Sequence, residues 1–196
     1  MNDRRPPESS LPTADAVREA IRQEKYKMLY RRVLRSTVYA LVIVAAVAVL
    51  IATLVLPVVQ ITGTSMAPTL NEGEIVVLVK TDKLKRGDLC AFLYSNKTLI
   101  KRVIGTPGDC IDIDADGNVS VNGTVIDEPY LTDKALGDCD IDLPYQVPES
   151  QYFLMGDHRA TSIDSRNSVI GCVTQEQMIG KIFFRVWPVR DISVIR

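Results

Sequence analysis

Residues 36 to 59, STVYALVIVAAVAVLIATLVLPVV, run for 24 positions without a charge. As a helix such a run is about 36 Å long, beyond the ~30 Å hydrocarbon core that about 20 residues span. A core helix apolar on every side is out of proportion to a chain of 196 residues. A cleavable signal peptide is the serious rival. Its apolar region would be only about 7–15 residues long and would lie nearer the start. The run therefore reads as a retained transmembrane helix. Arg31, Arg32 and Arg35 flank its N-terminal end, so the positive-inside rule puts residues 1 to 35 in the cytoplasm. The remaining 137 residues then lie outside.

Charge follows the same division. Residues 1 to 35 hold nine Lys or Arg against five Asp or Glu, a net of +4, and residues 60 to 196 hold fourteen against nineteen, a net of −5. The basic cluster is short and adjoins the apolar run, which argues against a nucleic-acid partner. Residues 1 to 13 are polar and proline-rich and read as disordered. From Ala14 to Leu34, Val17, Ala20, Ile21 and Met28 share a helical face beside Arg18, Arg22, Glu24 and Lys25. That helix is either a solvated lead-in or an interfacial helix held by anionic headgroups.

Beyond residue 60 the signals are for strands, and they predict an all-β domain of coiled antiparallel sheets. EIVVLVK (74 to 80) is β-branched, and DLCAFLYSNKTLIKRVIG (88 to 105) reads as a hairpin turning at Ser95 to Lys97. Asp116-Gly117 and Asn122-Gly123 mark two further turns. Residues 127 to 150, rich in Asp and Pro, read as an irregular insertion. QYFLM (151 to 155) and IGKIFFRVWPV (179 to 189) read as strands, with Thr174 and Gln177 at capping-box spacing for one short helix. Cys90, Cys110, Cys139 and Cys172 permit up to two disulfides, while the apolar settings of Cys90, Cys110 and Cys172 favour buried free thiols. No CxxC or Cys/His spacing suggests a metal.

Three stretches carry the polar chemistry. GTSMAPTL (63 to 70) sets Ser65 between Gly63 and Pro68, as on a constrained turn, although ordinary loops share that composition. IKRVIGTPGD (100 to 109) puts Lys101 in an apolar run with Leu99, Ile100, Val103 and Ile104. MGDHRATSIDSR (155 to 166) gathers Asp157, Ser162, Asp164, Arg166 and the single histidine, His158. A serine hydroxyl is a poor nucleophile until a base removes its proton. The candidate bases are His158 and Lys101. A lysine, with a free pKa of about 10.4, serves only if burial lowers that value, which it does by up to ~3–5 units. Ser-Lys pairs are a variant of triad chemistry. Spacing alone favours a strand lysine reaching solvent.

The ordered set reverses that judgement, because together the three stretches resemble the type I signal peptidases over roughly Gln60 to Val189. The resemblance implies Ser65 as nucleophile in the S-M-x-P-T motif and Lys101 as general base in K-R-V-x-G-x-P-G-D. In the third motif, which matches GDHRATSIDSR, it implies that Ser162 orients the lysine amine. Asp157, Asp164, Arg102 and Arg166 would form ion pairs that shape the site, and Arg86 to Asp88 a structural box. Two departures stand out. His158 occupies a position where the family commonly has Asn, and Gly63 one where some members place an oxyanion-hole serine. Oxyanion stabilisation then falls to backbone N–H groups, that of Ser65 first, with Gly63 serving backbone shape.

The resemblance further implies a single-pass plasma-membrane serine endopeptidase that removes signal peptides from preproteins, through an acyl-enzyme and without metal or organic cofactor. The substrate is expected to have small residues at the first and third positions before the cut. It would lie as an added strand along Ile61, Thr62 and Gly63, with Met66 also in contact. The bilayer and the preprotein are the expected partners, and a monomer the expected state. Two other readings are a LexA-like Ser-Lys self-processing protein and a non-enzymatic membrane-anchored β domain. The first would need a DNA-binding N-terminus where this chain has an uncharged span.

Overall fold

A computed structural model describes residues 14 to 81 and 83 to 195, so the expectation for residues 1 to 13 lies outside the described residues. One helix, α1, runs without interruption over Ala14–Val55. No Gly or Pro falls between residues 14 and 56, so nothing separates the basic segment from the apolar one. The apolar part is long enough to cross a membrane. The helix stops at Val55, four residues short of the expected end at Val59. Pro57 is the physical reason: it lacks an N–H, and its ring disfavours helical backbone at Leu56. Val58–Gln60 instead forms strand β1.

The β domain, described by itself, contains twelve strands among the described residues. After β1 come β2 (Ile75–Val79), β3 (Leu89–Tyr94), β4 (Lys97–Gly105), β5 (Cys110–Ile113) and β6 (Val119–Val121). They are followed by β7 (Thr124–Val125), β8 (Tyr145–Gln146), β9 (Gln151–Met155), β10 (Val173–Thr174), β11 (Met178–Trp187) and β12 (Ser193–Val194). The larger sheet has the order β1-β2-β11-β3-β4-β9-β10, with β12 added beside β11. The smaller runs β7-β6-β5-β8. Every recorded strand pair is antiparallel.

Local chemistry accounts for these elements. Ser95 and Asn96 both have positive φ (44° and 66°), as do Asn122 and Gly123 (54° and 78°), the primed-turn pattern that suits right-twisted hairpins. Residues 127 to 144 have no strand, and β8 is the one element in the stretch expected to be irregular. Gln177 Oε1 accepts from the Thr174 N–H at 2.9 Å, giving the anticipated short helix as one 3₁₀ turn, Gln175–Gln177. All four cysteines are free thiols.

Three apolar clusters fill the domain. The first packs Met66, Leu70, Val76, Leu78, Leu89 and Ile182, so the GTSMAPTL loop is part of the core. The second lies under the smaller sheet and the third around Cys90, Phe92, Val103 and Leu154. Strand β4 is exposed at its hairpin end and fully buried from Lys101 onward. Lys101 therefore stands where this strand enters the core.

Candidate active site

The loop from Ile61 to Glu74 is closed at its neck by two backbone bonds: Ile61 N–H to Glu74 O at 2.8 Å, and Gly73 N–H to Ile61 O at 3.0 Å. Gly63 sits at φ +82°, a left-handed conformation that a side chain disfavours. The turns that follow are tied by Ala67 N–H to Thr64 O at 3.0 Å and Leu70 N–H to Met66 O at 2.9 Å. Ile61 and Met66 point into the core at 4% and 2% exposure, whereas Ser65 is half-buried. Among the described residues no acceptor meets the Ser65 backbone N–H.

Ser65 and Lys101 line the same cavity, about 80 Å³, walled by residues 59 to 63 on one side and 98 to 100 on the other. Ile61, Thr62, Gly63 and Met66, the expected substrate contacts, all border it. Lys101 is 4% exposed. Burial pushes its pKa down to about 8, with Asp164 and Asp157 opposing the shift and Arg166 adding to it. The amine donates to Ser162 Oγ at 2.8 Å. No hydrogen bond runs directly from Lys101 to Ser65 among the described residues, a looseness common in unliganded sites. With its pKa near 8, the amine gives up its proton about two units more readily than a free lysine does.

Around the lysine lie two buried forks. Arg102 meets Asp157 through Nε to Oδ1 at 2.9 Å and Nη2 to Oδ2 at 2.6 Å. Arg166 meets Asp164 through Nε to Oδ1 and Nη2 to Oδ2, both at 2.8 Å. Burial alone would raise the Asp164 carboxyl, but bonds from Arg166 and the Gly156 N–H hold it below the usual range. The RGD box serves the same network: Arg86 pairs with Asp109 at 3.0 Å, Gly87 O accepts from Arg102 at 2.8 Å, and Asp88 pairs with Lys181 at 2.6 Å. His158 stands aside from it. Its Nδ1 lies 2.5 Å from Thr161 Oγ1, and only its backbone N–H touches the serine loop, at Ser65 O, 3.1 Å.

Comparison with known proteins decides the family. Residues 34 to 187 match the family model described as signal peptidase, peptidase S26. The chain belongs to the signal peptidase family. Signal peptidase I of Bacillus licheniformis is 36% identical over 148 residues, which cover 67% of this chain and 77% of that protein. Signal peptidase IB of Staphylococcus aureus is 36% identical over 154 residues, 68% of this chain and 78% of its own. A crystal structure of a signal peptidase I from Enterococcus faecalis V583 aligns at 30% identity with a TM-score of 0.42, over 50% of this chain and 96% of that one. As a signal peptidase the chain is a serine endopeptidase whose substrates are preproteins bearing signal peptides. The self-processing and non-enzymatic readings fall with that assignment. Its apolar N-terminal helix is consistent with membrane anchoring.

Several residues around this signal peptidase site were not singled out in the sequence. Gly156 is flanked so closely that a Cβ there would collide with Ser162 Oγ and with the Ser65 carbonyl oxygen. Its place in the third motif was the only signal. Thr69 Oγ1 donates to Asp157 Oδ2 at 2.5 Å, joining the serine loop to the Arg102 fork. Arg159 forms a buried pair with Glu128, which also accepts from Tyr130 OH at 2.7 Å, and the Tyr130 ring lies 3.8 Å from the Arg102 guanidinium carbon. Leu136 O accepts from Arg166 at 2.6 Å. The irregular segment thus braces both forks, which its loop-like composition does not disclose.

Proposed function

We propose that this signal peptidase works by a Ser-Lys dyad in which Ser65 is the nucleophile and Lys101 the general base. The observation that carries the reading is the buried Lys101 amine, its pKa lowered to about 8, lining one small cavity with Ser65. The neutral amine takes the Ser65 proton as the hydroxyl attacks the scissile carbonyl. The oxyanion is met by the Ser65 backbone N–H, which has no other acceptor among the described residues. Collapse breaks the peptide bond and releases the mature protein's amine, which takes the proton back from Lys101. The lysine then activates a water that hydrolyses the acyl-enzyme. Ser162 orients the amine, while Asp157, Asp164, Arg102 and Arg166 hold the surrounding loops.

The substrate lies extended against Ile61–Gly63, and the 80 Å³ cavity suits small side chains before the cut. Arg31, Arg32 and Arg35 at the start of the apolar segment support a plasma-membrane orientation with the N-terminus in the cytoplasm and the β domain outside. The enzyme acts as a monomer and needs no cofactor. Cleavage of a signal-bearing precursor by the full chain in detergent tests the dyad. Ser65→Ala, Lys101→Ala and Lys101→Arg each lower the rate about a thousandfold or more, arginine because it keeps its proton. His158→Asn, which restores the commoner family residue, leaves cleavage intact. Retained activity in Lys101→Arg with loss in His158→Asn would move the base to the histidine.

A further inference from the structure

The nucleophile loop is gripped from a strand that none of its sequence motifs includes. Arg185 lies on β11, opposite Val76 of β2 and Ser193 of β12, and its side chain reaches back to the loop. Its Nη1 donates to Glu74 Oε1 at 2.9 Å, and its Nη2 to the Thr69 carbonyl oxygen at 3.0 Å. Glu74 is 5% exposed and closes the loop neck through its own carbonyl, which accepts from Ile61 N–H. Thr69 is therefore held twice. Its carbonyl is bound by Arg185, and its hydroxyl is bound to Asp157, itself locked to Arg102 next to Lys101.

This double hold has a geometric meaning. The Thr69 carbonyl closes the turn in which Leu70 N–H bonds Met66 O, and carbonyls at the end of such a turn need an outside donor. Without one, the backbone four residues from Ser65 can rotate. The Thr69 hydroxyl and the Ser65 carbonyl, which accepts from the His158 N–H at 3.1 Å, tie the loop to the base's side of the site. The arginine adds a hold on the loop's far end from β11, and Glu74 fixes the arginine.

Resting on the reading of Ser65 as nucleophile, we propose that Arg185, held by Glu74, is a positioning residue that keeps Ser65 in register with Lys101 through the Thr69 carbonyl. It touches neither substrate nor reacting atoms, so its loss should slow the chemical steps without weakening substrate binding.

The test separates positioning from mere stability. Removing one partner leaves a charge buried alone and endangers the fold, whereas replacing both by apolar residues of similar volume is commonly neutral or stabilising. The double variant Arg185→Met with Glu74→Met, made in the full chain and assayed in detergent on a signal-bearing precursor, should melt close to the unaltered protein, the cost of the freed Thr69 carbonyl offsetting what removal of the buried pair gains. Its kcat should fall about tenfold or more, with KM within about twofold and the acid limb of the pH profile unmoved, since Lys101 is untouched. Arg185→Lys has a single ammonium for the two acceptors that the guanidinium meets separately, so it should lower kcat about threefold or more with KM held. Arg185→Lys also decides the matter if the double variant does not fold: a lysine variant that melts normally and cleaves at the unaltered kcat overturns the proposal. So does a folded double variant with unaltered kcat, or one whose loss lies entirely in KM. Ser65→Ala in the same assay separates the two levels. If it is inactive while the double variant is fully active, only the positioning role falls. If it cleaves at full rate, the nucleophile reading falls and takes this proposal with it.

Discussion

The Lys101 side-chain nitrogen donates to Ser162 Oγ across 2.8 Å, with both residues almost wholly removed from solvent. A lysine side chain has four rotatable bonds, and this contact is what fixes the end of it. Ser162→Ala should therefore lower kcat about 10- to 100-fold with KM within about twofold, read by steady-state cleavage of a precursor. An unchanged kcat would remove the orienting role assigned to Ser162.

The pH dependence of kcat/KM follows from the same lysine. The amine is inactive while protonated, and burial lowers its pKa to about 8. Activity should rise with pH along an acid limb centred near 8 and then level off. A limb centred near 6.5 would instead report a histidine base.

The depressed lysine also makes a statement about stability. Unfolded, Lys101 holds its proton up to about 10.5; folded, it releases it near 8. Between those values the unfolded state binds more protons, so stability rises with pH, and below 8 the folded state bears the full cost of a buried charge. Lys101→Met should thus stabilise the domain by about 2.5 kcal/mol below pH 8. That figure takes about 1.4 kcal/mol per pKa unit, less about 1 for the lost bond to Ser162. The gain should shrink as pH climbs from 8 toward 10. Denaturant melts of both proteins at pH 7 and pH 9.5 check the sign.

Gly63 offers a cleaner backbone test. Its φ is +82°, and a Cβ built there meets nothing within 4 Å, so substitution brings strain without a clash. Gly63→Ala should cost about 1 kcal/mol, which lowers the melting temperature by about 2–4 °C for a domain of this size.

The anchor is tested by accessibility. Protease added outside spheroplasts should digest the chain beyond Gln60 and spare residues 1 to 35. A mature protein beginning near Gln60 would mean that the apolar segment is removed.

Local signals were read well where they were local. The Ser95-Asn96 and Asn122-Gly123 turns, the QYFLM strand and the Thr174–Gln177 cap each depend on neighbours within a few positions, and the structure has all of them. The helix ends at Val55 although the apolar run continues to Val59, because hydropathy does not register the backbone break that Pro57 imposes. Sheet order was not legible: β11 lies between β2 and β3, far from both in sequence. The bracing pairs were hidden for the same reason. Glu128 and Arg159 are 31 positions apart, and Glu74 and Arg185 are 111 apart. Each charge advertised only that a buried strand or loop needed a partner, not which one.

Gly156 sets the tolerance of the whole site. The space its missing side chain leaves is already taken by Ser162 Oγ on one flank and the Ser65 carbonyl on the other. Adding one carbon there would drive apart the loop that carries the nucleophile and the loop that steadies the base. A saturation library at this codon, selected for growth on precursor processing, should return a single amino acid. Alanine, harmless at most surface positions, should be as lethal there as tryptophan.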